Sequence, residues 1–172
     1  MTSKNSIINQ HYSTQISAIK KALSSENVVQ LQEFFDKEFY YTLLSQARKS
    51  KLKQDVDIFE YRYKSGKISL PKEFEDFIKK ITGKKFKYQI IELEHKDYSL
   101  IHDKKAEIAI DLTENWLNGW GGYLMYNDGS GNVTKIPSKQ NSLTISNGKI
   151  FGAIKYVNNH SGKNKKLYII GR

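Results

Sequence analysis

Residues 107–146 read EIAIDLTENWLNGWGGYLMYNDGSGNVTKIPSKQNSLTIS, and their pattern decides the fold class. Glu107 to Leu112, Gly122 to Tyr126, Asn132 to Ile136 and Ser142 to Ser146 are short apolar or alternating runs of the kind that form strands. Turn-forming residues separate them, above all Asn127-Asp128-Gly129. Short strands at near-regular spacing indicate a sandwich, jelly roll or barrel, and no internal repeat points to a propeller or solenoid.

The pattern extends in both directions. Upstream, Phe86 to Leu93 is a further strand. Downstream, Ile150 to Val157 and Lys165 to Ile170 follow, with Asn147-Gly148 as the turn before them. Ahead of Gly83 the character is mixed. Ile16, Ile19 and Leu23 fall at helical spacing, and Val28 to Leu31 reads as a strand. Glu33 to Arg48 carries Phe35, Phe39, Leu43 and Ala47 at intervals of four and predicts a helix that packs on the sheet. Lys49 to Asp55 is expected to be a loop, Ile58 to Tyr63 a strand, and Ser65-Gly66 a turn. Pro71 opens a second helix whose apolar face is Phe74, Phe77, Ile78 and Ile81. The expected architecture is α+β and mainly β. Residues 1–27 form a polar segment with a short helix, residues 1–15 being loosely ordered, and 28–172 form one domain.

Composition narrows the chemistry. There is no cysteine among the 172 residues, which excludes disulfides and thiolate ligands. Any metal must be held by histidine and carboxylate. The net charge is +10, from 28 Lys and Arg against 18 Asp and Glu, so polyanions such as nucleic acid are expected partners. The basic residues lie in short clusters, Lys20-Lys21, Arg48 to Lys53, Lys79-Lys80, Lys84 to Lys87, Lys104-Lys105 and Lys163 to Lys166. Spread in this way they also suit an ordinary solvated surface. No stretch has the length and apolarity of a signal peptide or membrane span, so a cytoplasmic location without membrane association is expected. A Gly-rich phosphate loop and a serine nucleophile elbow are both missing, and Asp111 with Glu114 does not specify an acid–base pair.

Taken in order, Asp111-Leu112-Thr113-Glu114-Asn115-Trp116, Gly121-Gly122-Tyr123-Leu124, Val133 to Pro137 and Asn141-Ser142-Leu143-Thr144-Ile145 resemble one family. It is the prolyl-hydroxylase-like branch of the Fe(II)/2-oxoglutarate-dependent oxygenases. The closing Lys166-Leu167-Tyr168-Ile169-Ile170-Gly171 is similar to that family's last strand. The resemblance covers roughly residues 28 to 172. It implies a double-stranded β-helix, or jelly-roll, core with N-terminal helices packed on one sheet.

It also implies an activity: a dioxygenase that uses Fe(II) and 2-oxoglutarate to hydroxylate a substrate, a protein or peptide residue among the options. Such iron sites use two histidines and one carboxylate, leaving positions open for cosubstrate and oxygen. The first pair is His-x-Asp in this family, because residues i and i+2 of a strand project to the same side. His95-Lys96-Asp97 has that spacing, whereas His102-Asp103 has the expected position and adjacent rather than alternate residues; i+2 from His102 is Lys104. The resemblance implies metal roles for His102, Asp103 and His160, His160 being the one histidine near the place of the second. That place itself falls at Phe151 or Gly152. Lys166 is implied to pair with the far carboxylate of 2-oxoglutarate, with Tyr98 and Tyr168 lining the cosubstrate. The incomplete ligand motif leaves an alternative of another class: an oxygenase-fold binding or scaffold module without catalysis, with a basic surface for polyanions.

Overall fold

The structure is a computed structural model that describes residues 6–57, 59–103 and 107–172; the side chains of Leu100, Ile101, His102, Asp103 and Phe151 lie outside that description. Helices α1 (Gln10–Ser13) and α2 (Ile16–Glu26) lead into strand β1 (Val28–Leu31), then α3 (Lys37–Lys49). Strands β2 (Lys53–Asp57) and β3 (Tyr61–Ile68) precede α4 (Lys72–Thr82). The rest is β4 (Tyr88–Leu93), β5 (Tyr98–Asp103), β6 (Ile108–Asp111), β7 (Leu124–Asn127), β8 (Val133–Ile136), β9 (Ser142–Ser146), β10 (Phe151–Ile154) and β11 (Lys166–Gly171). Single 3₁₀ turns occur at Asn118–Trp120 and Asn159–Ser161.

The pairings form one folded-over antiparallel sheet, in the order β1-β9-β6-β11-β4-β3-β5-β10-β7-β8, with β2 on β3. Strand β3 joins the two halves: Lys64 to Ile68 pairs with β4, while Tyr61 and Arg62 pair with β5. At the opposite seam the Gln30 side chain of β1 donates to the Pro137 carbonyl beyond β8, 3.0 Å away. The result is the near-closed jelly roll that the sequence predicts.

Two cores follow from the two-residue alternation of strands. Ile90, Ile108, Ile110, Leu143, Ile145, Leu167 and Ile169 point outward, against the helices. Ile91, Leu93, Ala109, Tyr168 and Ile170 point into the barrel, where they meet Leu124, Tyr126 and Ile154. The α4 residues Phe74, Phe77, Ile78 and Ile81 are all buried on the helix side, as their spacing predicts. Burial of each contributes about 1.5–3 kcal/mol.

Several local expectations shift. Asp36 caps α3 by accepting from the Glu38 and Phe39 amides, so the helix starts after Phe34 and Phe35. Those two rings instead fill the helix-side core. Lys53 to Asp57 is a strand rather than a loop, and Ser65-Gly66 lies within β3 rather than at a turn. A Cβ on Gly66 would come within 2.8 Å of the Leu52 side chain, so the glycine serves close strand packing. Strand β5 was hidden because its order comes from β3 and β10 rather than from its own pattern. Ile8 is buried and bridges to Phe35, and Ile19 and Leu23 join the same core, so the segment ahead of β1 packs on the domain.

Asn141 fixes the turn into β9. It holds φ at +52° and its amide group both accepts from the Phe35 amide (3.0 Å) and donates to the Phe35 carbonyl (2.9 Å). Asn141→Ala removes both bonds and strains the left-handed backbone, at a cost of about 2–3 kcal/mol. Asn141→Gly, which tolerates the backbone, is expected to cost less; urea unfolding midpoints of the two variants check the order.

Candidate functional site

The register between β11 and β6 sets Tyr168 opposite Asp111. Lys166 lies two residues before Tyr168 on the same inward face, which makes it the diagonal neighbour of Asp111. Diagonal neighbours sit about 7–8 Å apart, within reach of a lysine stem. Lys166 Nζ meets Asp111 Oδ2 at 2.6 Å and also bonds the Ser138 hydroxyl. Ser138 Oγ donates to the same carboxylate oxygen (2.7 Å), and the Lys139 amide adds a fourth contact (3.2 Å). Asp111 Oδ1 accepts from the Thr113 amide.

The cluster is sealed. Lys166 is 0% exposed and Asp111 3%. The ammonium lies 4.7 Å from the centre of the Tyr168 ring and 5.5 Å from that of Trp116. Burial pulls the Lys166 pKa below the ordinary lysine value, while the Asp111 carboxylate pushes it back up. Burial also raises Tyr168 well above the usual tyrosine range; its hydroxyl donates to the Gly122 carbonyl.

The Gly121-Gly122 pair makes this enclosure. Gly121 has φ +80°, and a Cβ there would fall 1.9 Å from the Tyr156 carbonyl oxygen. At Gly122 a Cβ would touch the Lys166 stem and the Trp116 ring, both at 3.2 Å. Trp116 donates from its indole to the Gly121 carbonyl and sets its ring edge against Trp120. These tryptophans are packing residues that close one end of the barrel.

The metal candidates are differently placed. His102 and Asp103 end β5, and Asp103 pairs with Gly152 of β10; their side chains lie outside the described residues, as does Lys104. Tyr98 begins the same strand, beside Arg62. Strand β10 runs from Gly152 opposite Asp103 to Ile154 opposite Ser99. The register shifts between them, so that four residues of β5 but two of β10 separate these levels, about 7–13 Å of strand. Only beyond them does the chain reach His160, exposed in the 3₁₀ turn that follows Asn158, whose amide donates to the Trp120 carbonyl. The structure therefore sets His160 at the opposite end of the barrel from Asp103. His95 lies in the β4–β5 turn. Asp97 is buried there and committed elsewhere: one oxygen accepts from the Glu94 amide (3.0 Å) and the other faces Arg62 Nε (3.1 Å). Among the described residues no three His, Asp or Glu side chains converge as a metal site.

Inside the barrel, next to the Asp103–Gly152 level, the space is small and mostly apolar. A cavity of about 40 Å³ is lined by Ile91, Ala109, Leu124, Tyr126, Ile154 and Ile170, with Ser99 and Arg172 as its polar members. Sequence reasoning weighed Asp111 only with Glu114, as an acid–base pair, and passed over Ser138. The signal for Asp111 was present: it follows Ile108 and Ile110 at the wrong parity for the helix-side core and so faces Lys166. Nothing local marks Ser138, which arrives through the turn after β8.

Comparison with solved structures identifies the class of fold. A prolyl-4-hydroxylase from Pseudomonas putida superposes with a TM-score of 0.72 at 13% identity, covering 91% of this chain and 97% of that one. A Trichoplax adhaerens prolyl hydroxylase, solved with a peptide fragment of the hypoxia inducible factor oxygen degradation domain, gives 0.72 at 12% identity, with 94% and 90% covered. A Burkholderia pseudomallei protein of the 2OG-Fe(II) oxygenase family gives 0.70 at 10% identity, covering 91% and 89%. No protein-family model and no curated protein matches the sequence. The chain has a prolyl-hydroxylase-like 2-oxoglutarate oxygenase fold.

The residues present do not fit 2-oxoglutarate at the Lys166 end. The cation that would meet its far carboxylate already has a carboxylate and a hydroxyl, and it is 0% exposed. The ion pair also makes a stability prediction. Asp111→Ala leaves a buried ammonium without its counter-charge and is expected to cost about 3–5 kcal/mol. The double change Asp111→Ala with Lys166→Met removes both charges and is expected to recover most of that loss. Chemical denaturation of the three proteins tests this, and equal losses in single and double variants would refute it.

Proposed function

We propose that this chain is a non-catalytic binding module built on the oxygenase fold. The observation that carries the proposal is the Lys166–Asp111–Ser138 cluster. At the position where the family resemblance expects a cation for the cosubstrate, the protein supplies its own anion and closes the site around it. Placement of Gly152 beside Asp103, and of His160 at the far end of the barrel, supports the same reading. No helix among the described residues is long and apolar enough to cross a membrane, and the Lys-rich surface suits a charged macromolecular partner.

The competing reading is a Fe(II)/2-oxoglutarate dioxygenase acting on a peptide, favoured by the fold and by a lysine at position 166. There His102, Asp103 and His160 would hold the iron, and Lys166, Tyr98 and Tyr168 would orient 2-oxoglutarate. It requires Asp111 to release Lys166 and His160 to cross the barrel.

Anaerobic titration of the protein with Fe(II) and 2-oxoglutarate separates the two, with an active prolyl hydroxylase as positive control. The binding-module reading expects no charge-transfer absorption and no rise in melting temperature from the two together. A charge-transfer band, or stabilisation by several degrees, would replace it with the dioxygenase reading.

A further inference from the structure

On the outer, helix-covered side of the major sheet, α2, the C-terminal end of α4 and the loop after β9 enclose an open trough of about 630 Å³. Five lysines line it: Lys20 from α2, Lys79 and Lys80 from α4, Lys84 just beyond, and Lys149 from the loop. The one carboxylate among its described lining residues is Glu107, already bound to Lys84 Nζ at 2.6 Å. Lys20, Lys79, Lys80 and Lys149 are exposed, and none has a carboxylate at ion-pair distance among the described residues. Four positive charges thus converge on one concavity.

The backbone beneath them is held in place. The Asn147 amide donates to the Asn27 carbonyl at the end of α2, and the Asn147 and Asn27 side chains bond at 2.7 Å. The Lys149 amide donates to Asn147 Oδ1, and the Lys84 amide to Thr82 Oγ1. Lys79 and Lys80, in the last turn of α4, offset the partial negative charge of that helix end.

We infer that this trough binds the sugar–phosphate backbone of a nucleic-acid duplex. Lysines act as point charges that read phosphates rather than base edges. Among the described residues no aromatic ring lines the trough, so they offer no platform for unstacked bases. The exposed large apolar residues Tyr41, Val56, Phe59, Leu117, Val133 and Tyr156 lie elsewhere, so an inserting membrane face does not match it. The four charges sit on exposed stems around an open concavity, which suits a long convex array of phosphates. The inference goes beyond the binding-module reading by naming the surface and the partner, and it does not depend on the state of the Lys166 site, because the trough lies outside the barrel.

The test is fluorescence anisotropy with a labelled 20-base-pair duplex of arbitrary sequence. The wild-type chain is compared with Lys20→Gln/Lys79→Gln/Lys80→Gln/Lys149→Gln and with a control of equal charge loss, Lys51→Gln/Lys53→Gln/Lys135→Gln/Lys163→Gln. Four phosphate contacts give a slope of log affinity on log salt of roughly −3 to −4, or roughly a 100-fold loss between 50 and 200 mM salt. The trough variant is expected to lose at least tenfold in affinity and most of that slope, and the control to lose little. Circular dichroism of both variants checks that they are folded. Equal losses in the two variants would assign binding to net charge alone, and absence of binding at 50 mM salt would remove the site altogether. Displacement of the duplex by an equimolar amount of tripolyphosphate would make it a site for small polyphosphates instead. Each of these outcomes overturns the inference.

Discussion

Strand β11 is the constraint on which the rest of the structure depends. It pairs along its whole length with β4 and over most of it with β6, and all six of its residues are buried. Its alternation divides the molecule: Leu167 and Ile169 enter the core under the helices, while Lys166, Tyr168 and Ile170 enter the barrel. A slip of one residue would exchange these sets and drive the lysine into the helix-side core. The charge pair with Asp111 therefore also acts as a register mark, since Asp111 has the correct parity on β6 to meet it.

A buried ion pair is weak evidence of stability gained, because desolvation of both charges opposes their attraction. What it supplies here is occupancy. Lys166 is engaged from within by one carboxylate and one hydroxyl. In the binding-module reading the scaffold is thereby retained, and the feature that would tie it to a diffusible cosubstrate is satisfied by the chain itself.

Much of this was readable from residue order. The apolar spacing of Phe74, Phe77, Ile78 and Ile81, the hairpin at Asn127-Asp128-Gly129 and the series Trp116, Gly121-Gly122, Pro137, Asn141 all correspond to observed features, because each has a local physical cause. What was not readable depends on distant partners. Strand β5 is ordered by β3 and β10, Gly66 accommodates Leu52 rather than a turn, and Asp36 starts α3 later than apolar spacing alone suggests. The site shows the same division. Lys166 was recognisable from its place in the last strand, but its partner Asp111 is 55 residues away and Ser138 lies between them, 28 residues from Lys166, and only the register joins them.

The sheet order carries a consequence for how the chain is made. Strand β11 sits between β6 and β4, so both strands leave the ribosome before the strand that unites them. Until then β6 and β4 each carry an unsatisfied edge, and the barrel face of the helix-side layer has no centre. Assembly of this domain must therefore be a late, cooperative event rather than a stepwise growth from the N-terminus. The early helices wait for a surface that does not yet exist, and during that interval the open edges of β4 and β6 are the parts of the nascent chain most in need of shielding.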